Sequence, residues 1–285
     1  RVHTNFGEVE SWTQPIIDQP EIGILGIIAR EINGTLHLLM QAKMEPGNLN
    51  GVQLSPTLQA TRSNYTRVHG GKYPDYLEYF IGKKNRYVTL VDQLQSEHGS
   101  RFLHKRNRNT VILVEEEIQQ HEDYRWLTLG QIKKICNEDN LVNMDTRTVI
   151  AGLTFISEMH TRVEDGDYFL GSTITKQFKR DLFWSAVGSL ETIHSNREIA
   201  SWFTELKCKY EMKVQRIPLS ELELWNLEDE TIEHFESKYF RIIGVDVELS
   251  GREIEKWSQP LIESLGIGLC ALIIKKVNGV YHFLI

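Results

Sequence analysis

A polar stretch at residues 41–71, QAKMEPGNLNGVQLSPTLQATRSNYTRVHGG, carries most of the side chains that could do acid–base chemistry. Glu45 belongs to a Glu-Pro-Gly turn, in which proline and glycine would hold a carboxylate base in place. Further along come a phenol, an imidazole that titrates near neutrality and two guanidinium groups for an oxyanion: Tyr65, His69, Arg62 and Arg67. Each of them alone could be an ordinary surface residue, and it is their clustering that favours an active site.

Residues 52–61 alternate between apolar and uncharged polar side chains, which predicts a β-strand. The polar residues on its one face are Gln53, Ser55, Thr57, Gln59 and Thr61. Such a face could bind a sugar, whose hydroxyls need both donors and acceptors, or it could be the solvated face of an antiparallel sheet. Pro56 within the run predicts an edge strand or a bulge.

A second group of cations lies in the segment RFLHKRNR at residues 101–108. Lys105, Arg106 and Arg108 give this segment a local positive charge in a chain whose formal net charge is −7. A diphosphate would suit such a cluster, and a solvated, mobile loop would explain it equally well.

The composition of the chain excludes several other classes of function. A net charge of −7 argues against general nucleic-acid binding, and the longest apolar run, residues 22–29, is too short to span a bilayer. Gly-rich phosphate loops, HExxH and EF-hand spacings do not occur, so no metal ligands are predicted. The three cysteines lie far apart, which predicts reduced thiols in a cytoplasmic protein.

The elements around these residues include an internal repeat, because residues 8–40 align with residues 253–285 without a gap. Both copies contain W-[ST]-Q-P, an Asn-Gly pair and a histidine at the same spacing. Asn-Gly between two apolar runs predicts a β-hairpin in each copy. The second copy ends where the first continues into the polar stretch, so we expect a longer protein with residues beyond both ends of this chain.

Strands and helices are segregated along the chain, which predicts an α+β fold with mixed β-sheets flanked by helices. We expect two domain-sized modules, residues 1–180 with the candidate site and residues 181–285 as the start of a truncated second module. Helices are predicted at residues 129–136, 181–194 and 197–210, the last capped by Asn196, and residues 93–109 are predicted to be a polar loop.

The long motifs of the chain resemble the NDP-hexose 2,3-dehydratases of bacterial deoxysugar pathways for antibiotics. The resemblance rests on the polar stretch and on EVESWTQPIIDQPEIGILG (8–26), YLEYF (76–80), RFLHKRNRN (101–109), RWLTLGQIKKI (125–135), NMDTRTV (143–149), KYFRIIGVDVE and REIEKWSQPLI. It covers nearly the whole chain and implies two tandem Nudix-like modules, a homodimer and a longer protein. The implied partner is a small-molecule substrate, a dTDP-4-keto-6-deoxyhexose.

The implied reaction starts with removal of the C3 proton, which the neighbouring 4-keto group acidifies. The enolate then expels the 2-hydroxyl as water and the product becomes the 3,4-diketo-2,6-dideoxy sugar. Because the substrate ketone is the electron sink, the resemblance implies no organic cofactor.

Roles for single residues follow from their chemistry within the matching motifs. Glu45 or His69 would be the C3 base, and Tyr65 the acid for the 2-hydroxyl or the group that polarises O4. Arg62 or Arg67 would stabilise charge at O4 or on the diphosphate. The remaining candidates for substrate or nucleotide binding are Gln59, Lys105, Arg106, Arg108 and Trp12. Trp12 could stack on thymine, although its repeat partner Trp257 favours a core role for both.

Two alternatives of a different class stay open. A Nudix-type hydrolase would need the box G-x5-E-x7-R-E-x-x-E-E-x-G, and none of the three REI segments, at Arg30, Arg197 and Arg252, continues into it. A non-catalytic nucleotide-sugar binding module would arise if one copy of the repeat had lost its polar residues.

Overall fold

The structure, a computed structural model, describes residues 1–66, 72–82, 86–154, 173–186, 192–228, 230–249 and 255–285. Its strands are β1 Val2–Thr4, β2 Ser11–Trp12, β3 Gly23–Ile32, β4 Thr35–Met44, β5 Val52–Ser55, β6 Leu58–Ala60, β7 Val88–Ser96, β8 Arg106–Val114, β9 Tyr124–Thr128, β10 Met212–Val214, β11 Trp225–Leu227, β12 Thr231–His234, β13 Phe240–Glu248, β14 Lys256–Ser264, β15 Ile273–Val277 and β16 Val280–Leu284. Its α-helices are α1 Arg62–Tyr65, α2 Leu129–Ile135, α3 Met144–Ala151, α4 Thr173–Ala186 and α5 Asn196–Lys209. Runs of strands separated from runs of helices confirm the α+β class.

The chain forms two compact units. The larger one comprises the described residues within 15–153 and 225–263, and the other comprises those within 1–14, 154–224 and 264–285. The module boundary at residue 180 stays a prediction. Among the described residues, no helix has the length and apolar character needed to cross a bilayer.

A mixed sheet with the order β5-β4-β3-β8-β7 is the centre of the larger unit. β3 lies parallel to β8 and antiparallel to β4, while β6 pairs with β3 and β9 with β4. Residues 23–29 of β3 are all buried, because alternate side chains pack into two separate apolar clusters, one on each face. Helices α2 and α3 contribute Ile132 and Val149 to one of these clusters.

The alternating run at residues 52–61 is two strands, not the single strand that was predicted. β5 pairs with β4 and β6 pairs with β3, so the chain changes partner at Pro56 and Thr57. The Thr57 hydroxyl makes this change possible, since it donates to the carbonyl of Leu39 and accepts the amide N–H of Ile28 at 2.9 Å. Ser55 and Thr57 are buried, so the polar residues do not form a solvated face.

The polar loop predicted at residues 93–109 is shorter than expected, because strands β7 and β8 occupy both of its ends. Their register places Gln93 opposite Asn109 and Gln95 opposite Asn107. Amide side chains fit inside this ladder because they bond to each other, as Asn109 Nδ2 does to Gln95 Oε1 at 2.8 Å. Residues 97–105 remain as the connection between the strands.

The helix predictions hold with shifted ends. α2 ends at Ile135 with Cys136 as its C-cap, and α4 begins at Thr173 instead of residue 181. The N-cap of α5 is Ser195 and not Asn196, because Ser195 forms a capping box with Glu198.

The two copies of the repeat form the same hairpin. β3 and β4 place Arg30 opposite His37, and β15 and β16 place Lys275 opposite His282 at the equivalent position. Both Asn-Gly turns have positive φ angles, 52° and 73° in the first copy and 50° and 83° in the second, as a type I′ turn requires.

The repeated histidine also makes the same contact in each copy. His37 Nδ1 lies 2.9 Å from the carbonyl oxygen of Thr35, and His282 Nδ1 lies 3.2 Å from that of Val280. This shared local bond gives the histidine a structural role at the start of the second hairpin strand.

Candidate functional site

A cavity of about 240 Å³ in the larger unit collects charged side chains from several elements of the fold. Its five ionisable lining residues are Lys43, Glu45, Glu97, Lys105 and Asp145. They come from the end of β4, the ends of the β7–β8 connection and the first turn of α3. Because they come from three separate stretches of the sequence, folding of the sheet is what brings them together.

Glu45 follows directly after β4, and the Glu-Pro-Gly turn after it is closed by a bond from the Asn48 N–H to the Glu45 carbonyl at 3.0 Å. Its carboxylate accepts a hydrogen bond from Gln59 Nε2 at 2.7 Å. Glu45 is half-buried and lines the cavity. Its carboxylate is therefore held by Gln59 while it borders the cavity.

Both polar side-chain atoms of Gln59, on β6, have hydrogen-bond partners. Its Oε1 accepts from Ser55 Oγ at 2.9 Å and from Asn143 Nδ2 at 3.1 Å, while its Nε2 donates to Glu45. The Lys43 ammonium donates to the Gln59 backbone carbonyl at 2.9 Å, which brings this cation to the same wall of the cavity.

Asp145 is the second residue of α3, whose start is fixed to β5. Asn143 is the N-cap and accepts the Thr146 N–H at 2.8 Å, while the N–H of Asn143 bonds to the Leu54 carbonyl at 3.1 Å. Burial raises the pKa of Asp145 to about 6, with smaller contributions in the same direction from the charges of Glu45 and Glu97. Lys43 and Lys105 act in the opposite direction.

Lys105 is a buried cation, with only 4% of its surface exposed. Its ammonium donates to the Glu21 carbonyl at 2.7 Å, and burial lowers its pKa although Glu97, Glu21 and Asp145 act to raise it. A buried ammonium lining a cavity is suited to hold an anionic group, which would replace the water that the cation has lost.

Together these groups can perform acid–base chemistry beside a stabilised negative charge. Glu45, which accepts an N–H, has the arrangement of a base, and Asp145, with a pKa near neutrality, can carry a proton. Pairs of carboxyl groups in different environments mark acid and base roles in enzymes. Among the described residues, no three His, Cys, Asp or Glu side chains are grouped so as to hold a metal ion.

The predicted site residues of the polar stretch separate into three groups. Glu45 and Gln59 line the cavity. Tyr65 packs against the apolar core and Arg62 is exposed at the start of α1, and neither of them lines the cavity. His69 and Arg67 lie outside the described residues.

The predicted diphosphate cations also separate. Lys105 lines the cavity, but Arg106 is exposed. Arg108 makes a two-point ion pair with Asp92 on β7, at 2.6 and 2.8 Å, which raises its pKa. Neither arginine lines the cavity.

Trp12 belongs to the smaller unit, whereas the residues that line the cavity belong to the larger one. Its Nε1 donates to Gln14 Oε1 at 2.9 Å, and Nε1 of Trp257 donates in the same way to Gln259 at 2.7 Å. The shared Trp-x-Gln contact agrees with a structural role for both tryptophans.

Sequence reasoning did not identify Lys43, Asp145, Glu97 or Asn107 as site residues. Lys43, near the end of β4, and Glu45, just after it, are two positions apart, the spacing that places strand side chains on one face, but the predicted strand ended at Met40. Asn143 before Met144 and Asp145 is a typical helix start, although nothing in that pattern points to a cavity. Glu97 and Asn107 meet only through the register of β7 and β8, where Asn107 Nδ2 donates to Glu97 at 2.9 Å.

A second cavity, of about 370 Å³, lies beside the first. Lys43 and Gln59 line both cavities, so the two share one wall. Tyr73, Asp75 and Asp123 also line the second cavity.

Curated proteins named dTDP-4-dehydro-6-deoxy-alpha-D-glucopyranose 2,3-dehydratase are similar to this chain. One from Saccharopolyspora spinosa is 45% identical over 285 residues, which is 100% of this chain and 57% of that protein. One from Amycolatopsis orientalis is 42% identical over 279 residues, 98% of this chain and 53% of that protein. One from Streptomyces violaceoruber is 42% identical over 277 residues, 96% of this chain and 58% of that protein. The chain thus spans about half the length of the curated relatives it matches.

Solved structures show weaker similarity. The C-terminal domain of mouse MUTYH in complex with human PCNA has a TM-score of 0.29 and 11% identity over 47% of this chain and 86% of that chain. A C. elegans Ap4A hydrolase has a TM-score of 0.27 and 10% identity over 48% of this chain and 96% of that chain. At these TM-scores neither structure carries an argument about this chain, and the Nudix-like part of the fold prediction stays a prediction.

The family profile described as NDP-hexose 2,3-dehydratase matches residues 1–153 and 196–285. The match includes every described residue of the cavity and both copies of the repeated hairpin. The chain therefore belongs to the NDP-hexose 2,3-dehydratase family.

Proposed function

We propose that this chain carries the active site of a 2,3-dehydratase that removes water from dTDP-4-dehydro-6-deoxy-D-glucose. The family membership and the names of the curated relatives support this substrate and reaction. The observation that carries the proposal is the cavity in which Glu45 and Asp145, two carboxyl groups with different environments, face two lysines.

The reaction needs a base at C3, a stabiliser for negative charge at O4 and a proton for the departing 2-hydroxyl. The base takes the C3 proton. The electron pair of the C3–H bond then forms the enolate, which carries the negative charge on O4. The enolate electrons then form the C2–C3 double bond while the C2–O bond breaks, and the 2-hydroxyl leaves with the acid's proton as water. The enol at C3 tautomerises to the second ketone.

Each of these tasks has a side chain of matching chemistry in the cavity. Glu45 is the base, because it lines the cavity on a closed turn and accepts an N–H from Gln59. Asp145 is the acid, since its pKa of about 6 leaves a fraction of it protonated near neutral pH. Lys105, a buried ammonium, stabilises the charge on O4 or on the diphosphate. The proposal assigns no step to Tyr65 or Arg62, which do not line the cavity, and their predicted roles stay predictions.

The cellular location, the oligomeric state and the pathway are proposed from general features of the chain. Free thiols at Cys136, Cys208 and Cys270 suit the reducing cytoplasm. A homodimer and a place in the deoxysugar pathways of antibiotics rest on the family resemblance of the motifs.

The experiment that tests the function uses the full-length protein and its dTDP-4-keto-6-deoxyglucose substrate, with and without EDTA. We expect the diketo sugar nucleotide to form at the same rate in both samples, as followed by NMR. Release of nucleoside monophosphate that EDTA prevents would instead identify a hydrolase. Tight binding of the substrate without turnover would identify a binding module.

A further inference from the structure

The carboxamide of Gln59 has one orientation that satisfies its surroundings. Its Oε1 accepts two hydrogen bonds, from Ser55 Oγ at 2.9 Å and Asn143 Nδ2 at 3.1 Å. Ser55 is fully buried and Asn143 is 7% exposed, so water does not compete freely for these donors. With the oxygen held on this side, the NH₂ group must point to Glu45.

A flipped amide would be unfavourable at both of its ends. It would turn Oε1 towards the Glu45 carboxylate, where two acceptors would face each other, and NH₂ towards the Asn143 donor. The cost of such mismatched buried polar groups exceeds the gain of an ordinary hydrogen bond. The two donors therefore fix Gln59 as a donor to Glu45.

Asn143 connects this arrangement to the second carboxyl group of the cavity. Its Nδ2 holds Gln59, while its Oδ1 caps α3 by accepting the Thr146 N–H at 2.8 Å. Asp145 lies between Asn143 and Thr146 in the sequence, in the first turn of α3. A single asparagine thus links the amide beside Glu45 to the turn that carries Asp145.

We propose that Gln59, fixed by Ser55 and Asn143, is a positioning residue that directs the Glu45 carboxylate into the cavity. Its amide is occupied within the protein, so we assign it no direct contact with the sugar. The assignment of Glu45 as the base in this account rests on the proposed function.

The loss of the Gln59 N–H sets the direction of the expected pH effect. The other charged groups that line the cavity with Glu45 are Lys43 from β4, Lys105 before β8, Asp145 from α3 and Glu97 after β7, and they are the same in the variant. Removing the Gln59 N–H takes away one group that favours the ionised form. Protonation of the base then becomes easier, and the acid limb of the pH–rate profile moves to higher pH.

The kinetic test compares Gln59→Leu with Gln53→Leu in the full-length enzyme. Gln53 is a matched control, because it lies on β5, the strand that precedes β6 along the chain, and lines neither cavity. For Gln59→Leu we expect kcat to fall by on the order of 10²-fold, KM to change less than about threefold and the acid limb to rise by about one pH unit. Gln53→Leu should keep the wild-type profile.

A different division of the Gln59→Leu effect between KM and kcat would overturn the proposal. If Gln59→Leu raises KM and leaves kcat and the pH profile unchanged, Gln59 contacts the substrate and does not position the base. The Ser55→Ala variant provides a second test, since Ser55 reaches the cavity only through Gln59. It should shift the acid limb in the same direction as Gln59→Leu by a smaller amount, and an unchanged limb would contradict the fixed amide.

A double-mutant cycle separates this inference from the proposed function, because it needs no turnover. Melting temperatures are measured for Gln59→Leu, Glu45→Ala and the double variant of the full-length protein. We expect non-additive shifts, with the double variant less destabilised than the sum of the single ones. Additive shifts would overturn the positioning contact even in an active dehydratase, whereas non-additive shifts in an inactive protein would refute only the function.

Discussion

Glu45 and Asp145 lie on one cavity, and the charge of Glu45 adds to the burial that raises the pKa of Asp145 to about 6. One carboxyl group comes from the end of a central strand and the other from the first turn of a helix. Their different environments allow one to act as a base while the other carries a proton.

The raised pKa of Asp145 predicts a pH-dependent gain in stability for Asp145→Asn. A carboxyl group with a folded-state pKa of about 6, above its ordinary value of 3.8, binds its proton more tightly in the folded state. Wild-type stability therefore falls, relative to the variant, as pH rises from about 4 to about 6. At pH 7.5 the variant should be more stable by at most about 3 kcal/mol, and below about pH 4 the difference should vanish.

Urea unfolding at several pH values measures this difference. The exposed Asp139→Asn variant is the control, and its effect should not depend on pH in this range. A constant difference for Asp145→Asn between pH 4 and pH 7.5 would mean that Asp145 is not the group whose proton affinity is raised.

Lys105 should matter for turnover and not for folding. Lys105→Met removes the buried ammonium but keeps a long side chain in its place, so we expect kcat/KM to fall by roughly 10²-fold or more. Unfolding should become no easier, because burial already disfavours the charged lysine. Lys134→Met, on the exposed side of α2, is the matched control. A variant that is unstable but fully active per folded molecule would contradict this role.

Thr57 should be needed for the stability of the central sheet. In Thr57→Val the shape of the side chain is retained, but the Ile28 N–H and the Leu39 carbonyl lose their shared partner. Leaving two buried backbone groups without a bond should cost about 2–4 kcal/mol in the free energy of unfolding. The exposed Thr35→Val change should cost far less in the same urea titration, and equal effects would argue against the bridging hydroxyl.

The parts of the fold that the sequence predicted are those set by local chemistry. Asn33-Gly34 and Asn278-Gly279 predict tight turns because their backbones must adopt positive φ angles, and the observed angles agree. Helix α2 was predicted from the spacing of its apolar residues, and the structure contains it. The repeat predicted a hairpin in each copy, and the structure gives both hairpins the same register.

The parts that were missed depend on contacts distant in sequence. The alternation of residues 52–61 does not show that Thr57 bonds to two different strands and divides the run. No pattern near Asp145 in the sequence indicates that it shares a cavity with Glu45, which lies a hundred positions earlier. Arg108 carries the right charge for a diphosphate, but only the register of β7 and β8 reveals that Asp92 holds it.

Proton exchange at C3 of the substrate is the strictest test of Glu45 as the base, because it separates proton removal from water loss. The full-length enzyme and its Glu45→Gln and Asp145→Asn variants are incubated with dTDP-4-keto-6-deoxyglucose in D₂O, and recovered substrate and product are examined by NMR. We predict that Glu45→Gln neither exchanges the C3 proton nor forms product. Asp145→Asn should exchange the C3 proton while losing water slowly. Normal C3 exchange in a folded Glu45→Gln variant would show that another residue is the base.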